Sequence, residues 1–218
     1  MLTFAIGDIH GCYDKLVRIL SKCEAYAGSQ SHRFVFLGDY IDRGKESRAV
    51  VDLLMHLQKE PPGDREVICI AGNHEEMLIR SVDDPFVNAQ WLENGGIETL
   101  ESYSHVGGMW LLEQHARWLS QLPLQFDDGL RLYVHAGVDG SKPLDEQSRD
   151  DLLWIREPFL SLEGKLERLI VHGHTPLKDG PEVRPNRVNL DTGAVYGRSL
   201  TAGIFNHVQP LPLGFLSA

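Results

Sequence analysis

A chain of 218 residues, 42% apolar and 24% charged, has the composition of an ordinary soluble globular protein and the length for a sizeable core. Its net charge of −10 argues against nucleic acid or an anionic membrane as a partner. No run approaches the roughly 20 apolar residues that span a bilayer, and MLTFAIGDIHG lacks the basic start of a signal peptide.

The chain opens on LTFAI, a short apolar run that stops at Gly7-Asp8. Leu16, Ile19, Leu20 and Cys23 then fall on one helical face. FVFL stops at Gly38-Asp39, and Val50, Leu53, Leu54 and Leu57 mark a second helix. VICIA stops at Gly72-Asn73-His74. Strand, helix, strand, helix, strand predicts βαβ units with parallel pairing. From Asn73 the sequence reads helical through Met77-Leu78, around Trp91, and from Met109 to Leu119, predicting a helical insert over about residues 75–122. Strands then dominate: LRLYV stops at His135-Ala136-Gly137, LIV at His172-Gly173-His174, and SLTAGIFN ends the series. VDGSKPLDEQSRDD and PLKDGPEVRPNR read as loops. The expected architecture is α/β (α+β) in a single domain over 1–218. Cys12, Cys23 and Cys69 form no CxxC pair and are expected to be buried thiols in a reducing cytoplasm.

Ligands of an open α/β sheet bind beyond the carboxyl ends of its strands. Here those ends carry Asp8, His10, Asp39, Asp42, Asn73, His74, His135, His172 and His174. One Asp or His at a strand end is ordinary turn chemistry. Five strands ending that way form a candidate cluster. Carboxylate, imidazole and amide oxygen without thiolate suit Mn²⁺, Fe or Zn²⁺, whereas Mg²⁺ and Ca²⁺ favour all-oxygen shells. Six or more candidate ligands exceed the needs of one tetrahedral ion. Two divalent ions about 3.5–4 Å apart, sharing a carboxylate, would use them all. The pocket would stay positive and attract an anion such as phosphate. Gly44-Lys45 is not a nucleotide P-loop, because Glu46 stands at the Ser/Thr position.

GDIHG (7–11), GDYIDRG (38–44) and GNHE (72–75) resemble the three signature blocks of the phosphoprotein phosphatase (serine/threonine protein phosphatase) family of metallophosphoesterases. HAG (135–137) and HGHT (172–175) resemble its two later histidine blocks, in the same order. The likeness is to the small bacterial and phage branch, which includes the lambda phage phosphatase, and to bacterial diadenosine tetraphosphate hydrolases. NLDTGAVYGRSLTA (189–202) is similar to both. The resemblance implies the calcineurin-like four-layer α/β/β/α sandwich. It implies that Asp8 and His10 bind a first metal, that Asp39 bridges, and that Asn73, His135 and His174 complete a second site, with Mn²⁺ the first choice. Asp42 would pair with His74, which would protonate the leaving alkoxide while a metal-bound hydroxide attacks phosphorus directly. Arg43, Arg156 and Asn73 would bind the phosphate. One departure is Ala71, where many relatives carry Arg.

The expected function is therefore a two-metal phosphatase for phosphoserine or phosphothreonine in proteins. Hydrolysis of dinucleoside polyphosphates is the alternative, and a non-catalytic metal-binding scaffold a lesser one. Partners would be a phosphorylated protein or a small phosphoester in the cytoplasm, without nucleic acid, membrane or regulatory subunits. His32, His56, His105, His115 and His207 are expected to be structural or surface residues, and His172 is open between a supporting role and none. Trp91, Trp110 and Trp118 are expected in the core rather than under a substrate.

Overall fold

Alternation within single strands decides how the layers stack. In β1 (Leu2–Ile6), Leu2, Phe4 and Ile6 point to one side and Ala5 to the other. In the computed structural model, which describes residues 1–60, 63–104 and 108–218, both sides are buried. α1 (Tyr13–Ala27), β2 (His32–Phe36), α2 (Ser47–Lys59) and β3 (Arg65–Cys69) follow. β1–β2 and β2–β3 pair in parallel, as the βαβ pattern predicts. Leu16, Ile19 and Cys23 of α1, with Val50, Leu54 and Leu57 of α2, pack on the Phe4 side.

Four helices come next: α3 (Asn73–Ser81), α4 (Pro85–Trp91), α5 (Ile97–Ser104) and α6 (Gly108–Leu119). A kinked turn at Leu92–Gly96 joins α4 to α5, with Gly95 at φ 108°. The rest of the chain contributes β4 (Gln125–Asp127), β5 (Arg131–Val134), α7 (Arg149–Trp154), β6 (Leu169–His172), β7 (Glu182–Val183), β8 (Arg187–Asn189), β9 (Thr201–Asn206) and β10 (Gly214–Ser217). Two five-stranded sheets result, in the orders β10-β9-β1-β2-β3 and β4-β5-β6-β8-β7. Ala5, Val35, Leu37 and Phe205 of the first meet Tyr133, Val171 and Val188 of the second. Leu132, Val134 and Ile170 turn outward onto Leu152 and Phe159. The layers are thus helix, sheet, sheet, helix, an α/β arrangement consistent with the calcineurin-like sandwich.

Two segments depart from the sequence reading. PLKDGPEVRPNR, expected as a loop, contains β7 and begins β8, whose Arg187 lies opposite Ile170 of β6. VDGSKPLDEQSRDD ends in the first turn of α7, where Ser148 caps the helix by accepting the N–H of Asp151 at 3.1 Å. Trp110 also departs, being 67% exposed, because α6 buries the face of Leu112, His115 and Leu119 instead. The expectation for His105 lies outside the described residues. Among the described residues, no helix is long and apolar enough to cross a membrane.

Register brings the ends of the strands level. Ile6 lies opposite Phe36, and Phe36 opposite Cys69. Asp8, Asp39 and Asn73 therefore leave neighbouring strands within two to four residues of their ends. In the second sheet His172 lies opposite Asn189, so His174 and Asp191 leave side by side.

Candidate active site

Backbone conformation marks this edge first. Among the described residues, the non-glycine positions with positive φ are His10 (44°), Asp39 (53°), Asp42 (72°), Arg43 (67°) and His174 (65°). All five are residues that the sequence nominates. Left-handed conformations cost an L-residue roughly 1–2 kcal/mol and persist where surrounding structure holds them, commonly at functional sites. The glycines beside them make room: a Cβ on Gly72 would strike Asp39, and one on Gly173 would strike Asp8.

Asp39 lies between two groups of side chains. Its Oδ2 is 3.4 Å from His10 Nε2 and 4.0 Å from His74 Nε2, while its Oδ1 is 3.4 Å from His135 Nε2. Potential ligand atoms of His10, Asp39 and His74 lie within 4.8 Å of one another, and so do those of Asp39, His135 and His174. Burial works against the Asp39 carboxylate, but His135, His74, His10 and His174 hold its pKa well below the usual range.

The hydrogen bonds around these groups leave some acceptors without donors. His135 Nδ1 donates to the Leu37 carbonyl at 2.8 Å, which leaves a lone pair on Nε2. Burial lowers the His135 pKa and keeps the ring neutral. That lone pair faces Asn73 Oδ1, itself an acceptor, at 2.8 Å. Asn73 Oδ1 is also 2.9 Å from His174 Nδ1, and His174 Nε2 is buried without a hydrogen-bond partner. Burial pushes His174 down to about 2 and His10 down to about 3, so neither ring supplies an extra proton. His10 Nδ1 likewise donates to the Ile41 carbonyl at 2.8 Å, leaving its Nε2 lone pair beside Asp39 at 3.4 Å, where the Arg43 guanidinium donates to it at 2.7 Å. Lone pairs converging among buried side chains fit a divalent ion.

Asp8 lies outside both three-residue groups. Its oxygens accept the His174 N–H at 3.2 and 3.1 Å. Burial, with the charges of Asp191 and Asp39, raises its pKa well above the usual value. Burial also pushes Asp191 up to about 6. Three carboxyl groups buried together are a second sign that positive charge belongs here.

Asp42 and His74 pair, with Nδ1 2.6 Å from Oδ2. Burial alone would lower the His74 pKa, but Asp39 and Asp42 outweigh it and raise it above the ordinary imidazole value. Burial raises Asp42, while bonds from His74, Thr99 and Trp91 pull it back. With those donors on its oxygens, we place the shared proton on the imidazole. Arg43 is half-buried beside the pair, its NH1 2.7 Å from His10 Nε2. Arg156 is exposed, and its charge contributes to lowering the His174 pKa. Ala71 is buried and carries no cation toward the site.

His172 stands apart from the ligand groups. Its ring packs on Phe159 with centroids 5.1 Å apart, and its Nδ1 faces the Gly173 carbonyl at 3.0 Å. Sequence reasoning assigned no part to three acidic residues here. Glu75 accepts the N–H groups of Asp39, Tyr40 and Gly72, each at 2.8 Å, and so shapes the turn that carries Asp39. Glu76 accepts from Arg149 Nε at 2.6 Å and from Trp154 Nε1 at 2.7 Å. Trp154 in turn stands 6.4 Å from the His174 ring. Asp191 had a signal of its own, since VNLDTG ends a strand in Asp and Gly as the other blocks do. The apolar run before it is too short to register.

Residues 1–198 match the calcineurin-like phosphoesterase (Metallophos) family. The chain belongs to that family. It is 29% identical over 228 residues to the asymmetrical bis(5'-nucleosyl)-tetraphosphatase PrpE of Halalkalibacterium halodurans, covering 94% of this chain and 90% of that protein. It is also 29% identical over 209 residues to serine/threonine-protein phosphatase 1 of Salmonella typhimurium, covering 91% and 89%. A solved serine/threonine phosphatase from Saccharomyces cerevisiae shares the fold with a TM-score of 0.67 at 18% identity, over all of this chain and 80% of that one. The chain is thus a metallophosphoesterase, a hydrolase of a family that uses divalent metals, and its Asp/His groups are placed to bind them.

Proposed function

We propose that this metallophosphoesterase is a phosphomonoesterase acting on phosphoserine and phosphothreonine side chains with two divalent ions, Mn²⁺ first among them. The observation that carries this reading is the buried Asp42–His74 pair, 2.6 Å between Oδ2 and Nδ1, beside the guanidinium of Arg43. A serine or threonine alkoxide is a poor leaving group and needs a proton as it departs. A phosphate leaving from an anhydride needs little such help. An acid held in a buried dyad is therefore most useful to an alkyl phosphate.

Asp8, His10, Asp39, Asn73, His135 and His174 would hold the ions, which would supply Lewis acidity toward water and phosphate. The chain's own groups do the rest. Arg43 and Arg156 clamp non-bridging phosphate oxygens, the planar fork of each matching two oxygens at once, and Asn73 adds a contact. His74 gives its Nε2 proton to the leaving oxygen. Asp42 keeps the ring oriented and stabilises its charged form.

A second reading, hydrolysis of dinucleoside polyphosphates, is favoured by Tyr196. This residue is 54% exposed, and its ring centre lies 6.0 Å from Arg43 Cζ. Lys15 pins its turn by donating to the Ala194 carbonyl at 2.7 Å and the Arg198 carbonyl at 2.5 Å. A fixed aromatic ring beside a phosphate-binding arginine suits a flat base, and PrpE proteins are among the relatives. One assay decides. Protein stripped of metal and reloaded with Mn²⁺ is given a phosphoserine peptide, an aryl phosphate and diadenosine tetraphosphate. The first reading predicts turnover of the peptide. Turnover of the dinucleotide alone establishes the second, and metal binding without any turnover indicates a scaffold.

A further inference from the structure

We propose that Trp91, Thr99 and Ser47 form a positioning clamp that locks Asp42 against His74. The helical segment between β3 and β4 then completes the proton-donating pair instead of merely flanking it. The proposal rests on the reading of His74 as the proton donor.

The contacts are dense for one carboxylate. Thr99 Oγ1 donates to Asp42 Oδ1 at 2.6 Å. The Trp91 indole N–H is shared across both oxygens, 3.0 Å to Oδ1 and 2.9 Å to Oδ2. A donor straddling the carboxylate fixes its plane, and so fixes the direction in which Oδ2 meets His74 Nδ1. The backbone is held as well. The Asp42 N–H donates to Thr99 Oγ1 at 2.9 Å and to Ser47 Oγ at 3.1 Å, securing the residue at φ 72°. Next to it, the Arg43 N–H donates to the Gly95 carbonyl at 3.1 Å. Gly95 itself lies so close to Arg43 that a Cβ would collide with it.

Three chain segments thus converge on one aspartate: the start of α2, the end of α4 and the first turn of α5. Satisfying a buried carboxylate needs donors but no particular direction. Proton transfer does need direction, because His74 must keep Nδ1 on Asp42 while Nε2 points back toward Asp39, 4.0 Å away. Misplacement of reacting groups by about 1 Å can cost about 10²-fold in rate. A clamp that sets this orientation should matter in proportion to how much the leaving group needs its proton.

The test uses Trp91→Phe, which keeps a ring without the N–H, and Thr99→Val, which keeps the shape without the hydroxyl. Thr99→Ser is the conservative control. Each is assayed as the full-length Mn²⁺-loaded protein on a phosphoserine peptide and on p-nitrophenyl phosphate, whose leaving group departs without a proton. The clamp predicts a loss of about 10²-fold in kcat on the peptide and a far smaller loss on the aryl ester. KM and metal content should be unchanged, and Thr99→Ser should restore peptide turnover. Independently of activity, proton NMR of the metal-free protein should show a downfield imidazole N–H, assigned by its absence in His74→Asn, that shifts or broadens away in Trp91→Phe and Thr99→Val. Equal losses on both esters, or an unmoved N–H signal, would overturn the clamp. A wild-type protein inactive on every phosphoester would overturn the functional reading instead, and the NMR signal would still decide the clamp.

Discussion

Two clusters of charge lie at opposite ends of the strands, and they are built on opposite terms. Near the start of β5, Arg131 is almost fully enclosed. Its guanidinium meets Asp128 Oδ2 at 2.7–2.9 Å and donates to the carbonyls of Asn206 and Gln209 at 2.7 and 3.1 Å. Every charge there has a partner within the chain, and the pair ties β5 to the turn between β9 and β10. At the other ends of the strands, Asp8, Asp39 and Asp191 gather with neutral imidazoles, of which His135 turns its lone pair on an acceptor and His174 leaves Nε2 without a partner. The first cluster is complete as it stands. The second holds groups that could bind metal, and its backbone is strained where the first is not.

The sharpest way to break that contrast is Asp39→Asn. Removing the carboxylate shared by both groups should abolish binding of both ions, read by elemental analysis, and reduce turnover to background. Full occupancy in that variant would mean Asp39 does not bridge. Next in size is His74→Asn, expected to lower kcat on a phosphoserine peptide by about 10²–10⁴-fold while leaving metal content intact. Its raised pKa gives a sign to the pH dependence as well. His74 is protonated below that value, so wild-type turnover of the peptide should fall as pH climbs past it, above the ordinary 6.5. The variant should lack this limb.

Arg131→Met should act on the other cluster only. Leaving the half-buried Asp128 without its partner should cost about 1–3 kcal/mol of stability, measurable by urea unfolding, with metal stoichiometry unchanged in the folded protein. Burial raises the Asp128 pKa, but the Arg131 contacts outweigh it and hold it below the usual value. The contribution of the pair is therefore present at neutral pH and lost as pH falls through that lowered value. Loss of metal from Arg131→Met would show that the two regions are coupled after all.

Legibility followed the physics of each region. β1, β2, β5, β6 and β9 announce themselves because central strands buried on both faces read as unbroken apolar runs, and β3, an edge strand that is only partly buried, carries an apolar run of its own in Val67, Ile68 and Cys69. β4, β7 and β10 lie at sheet edges, are two to four residues long and only partly buried, and exist through pairing with a neighbour rather than through any run of their own. Asp8, Asp39, Asn73, His135 and His174 were readable because the strands deliver them in sequence order to one edge. Trp91 and Thr99 were not, since they reach Asp42 across 49 and 57 residues of chain. A helical tryptophan looks like core until its N–H is traced. Trp91 is core, and it has a polar task too.

The central claim is that the strand-end cluster is finished by two cations. Full-length protein, stripped with chelator and dialysed against Mn²⁺, can be analysed by metal content per chain together with anomalous scattering at the site. The account predicts two ions per chain, one on each side of Asp39. A saturated protein holding a single ion, or none, would contradict it.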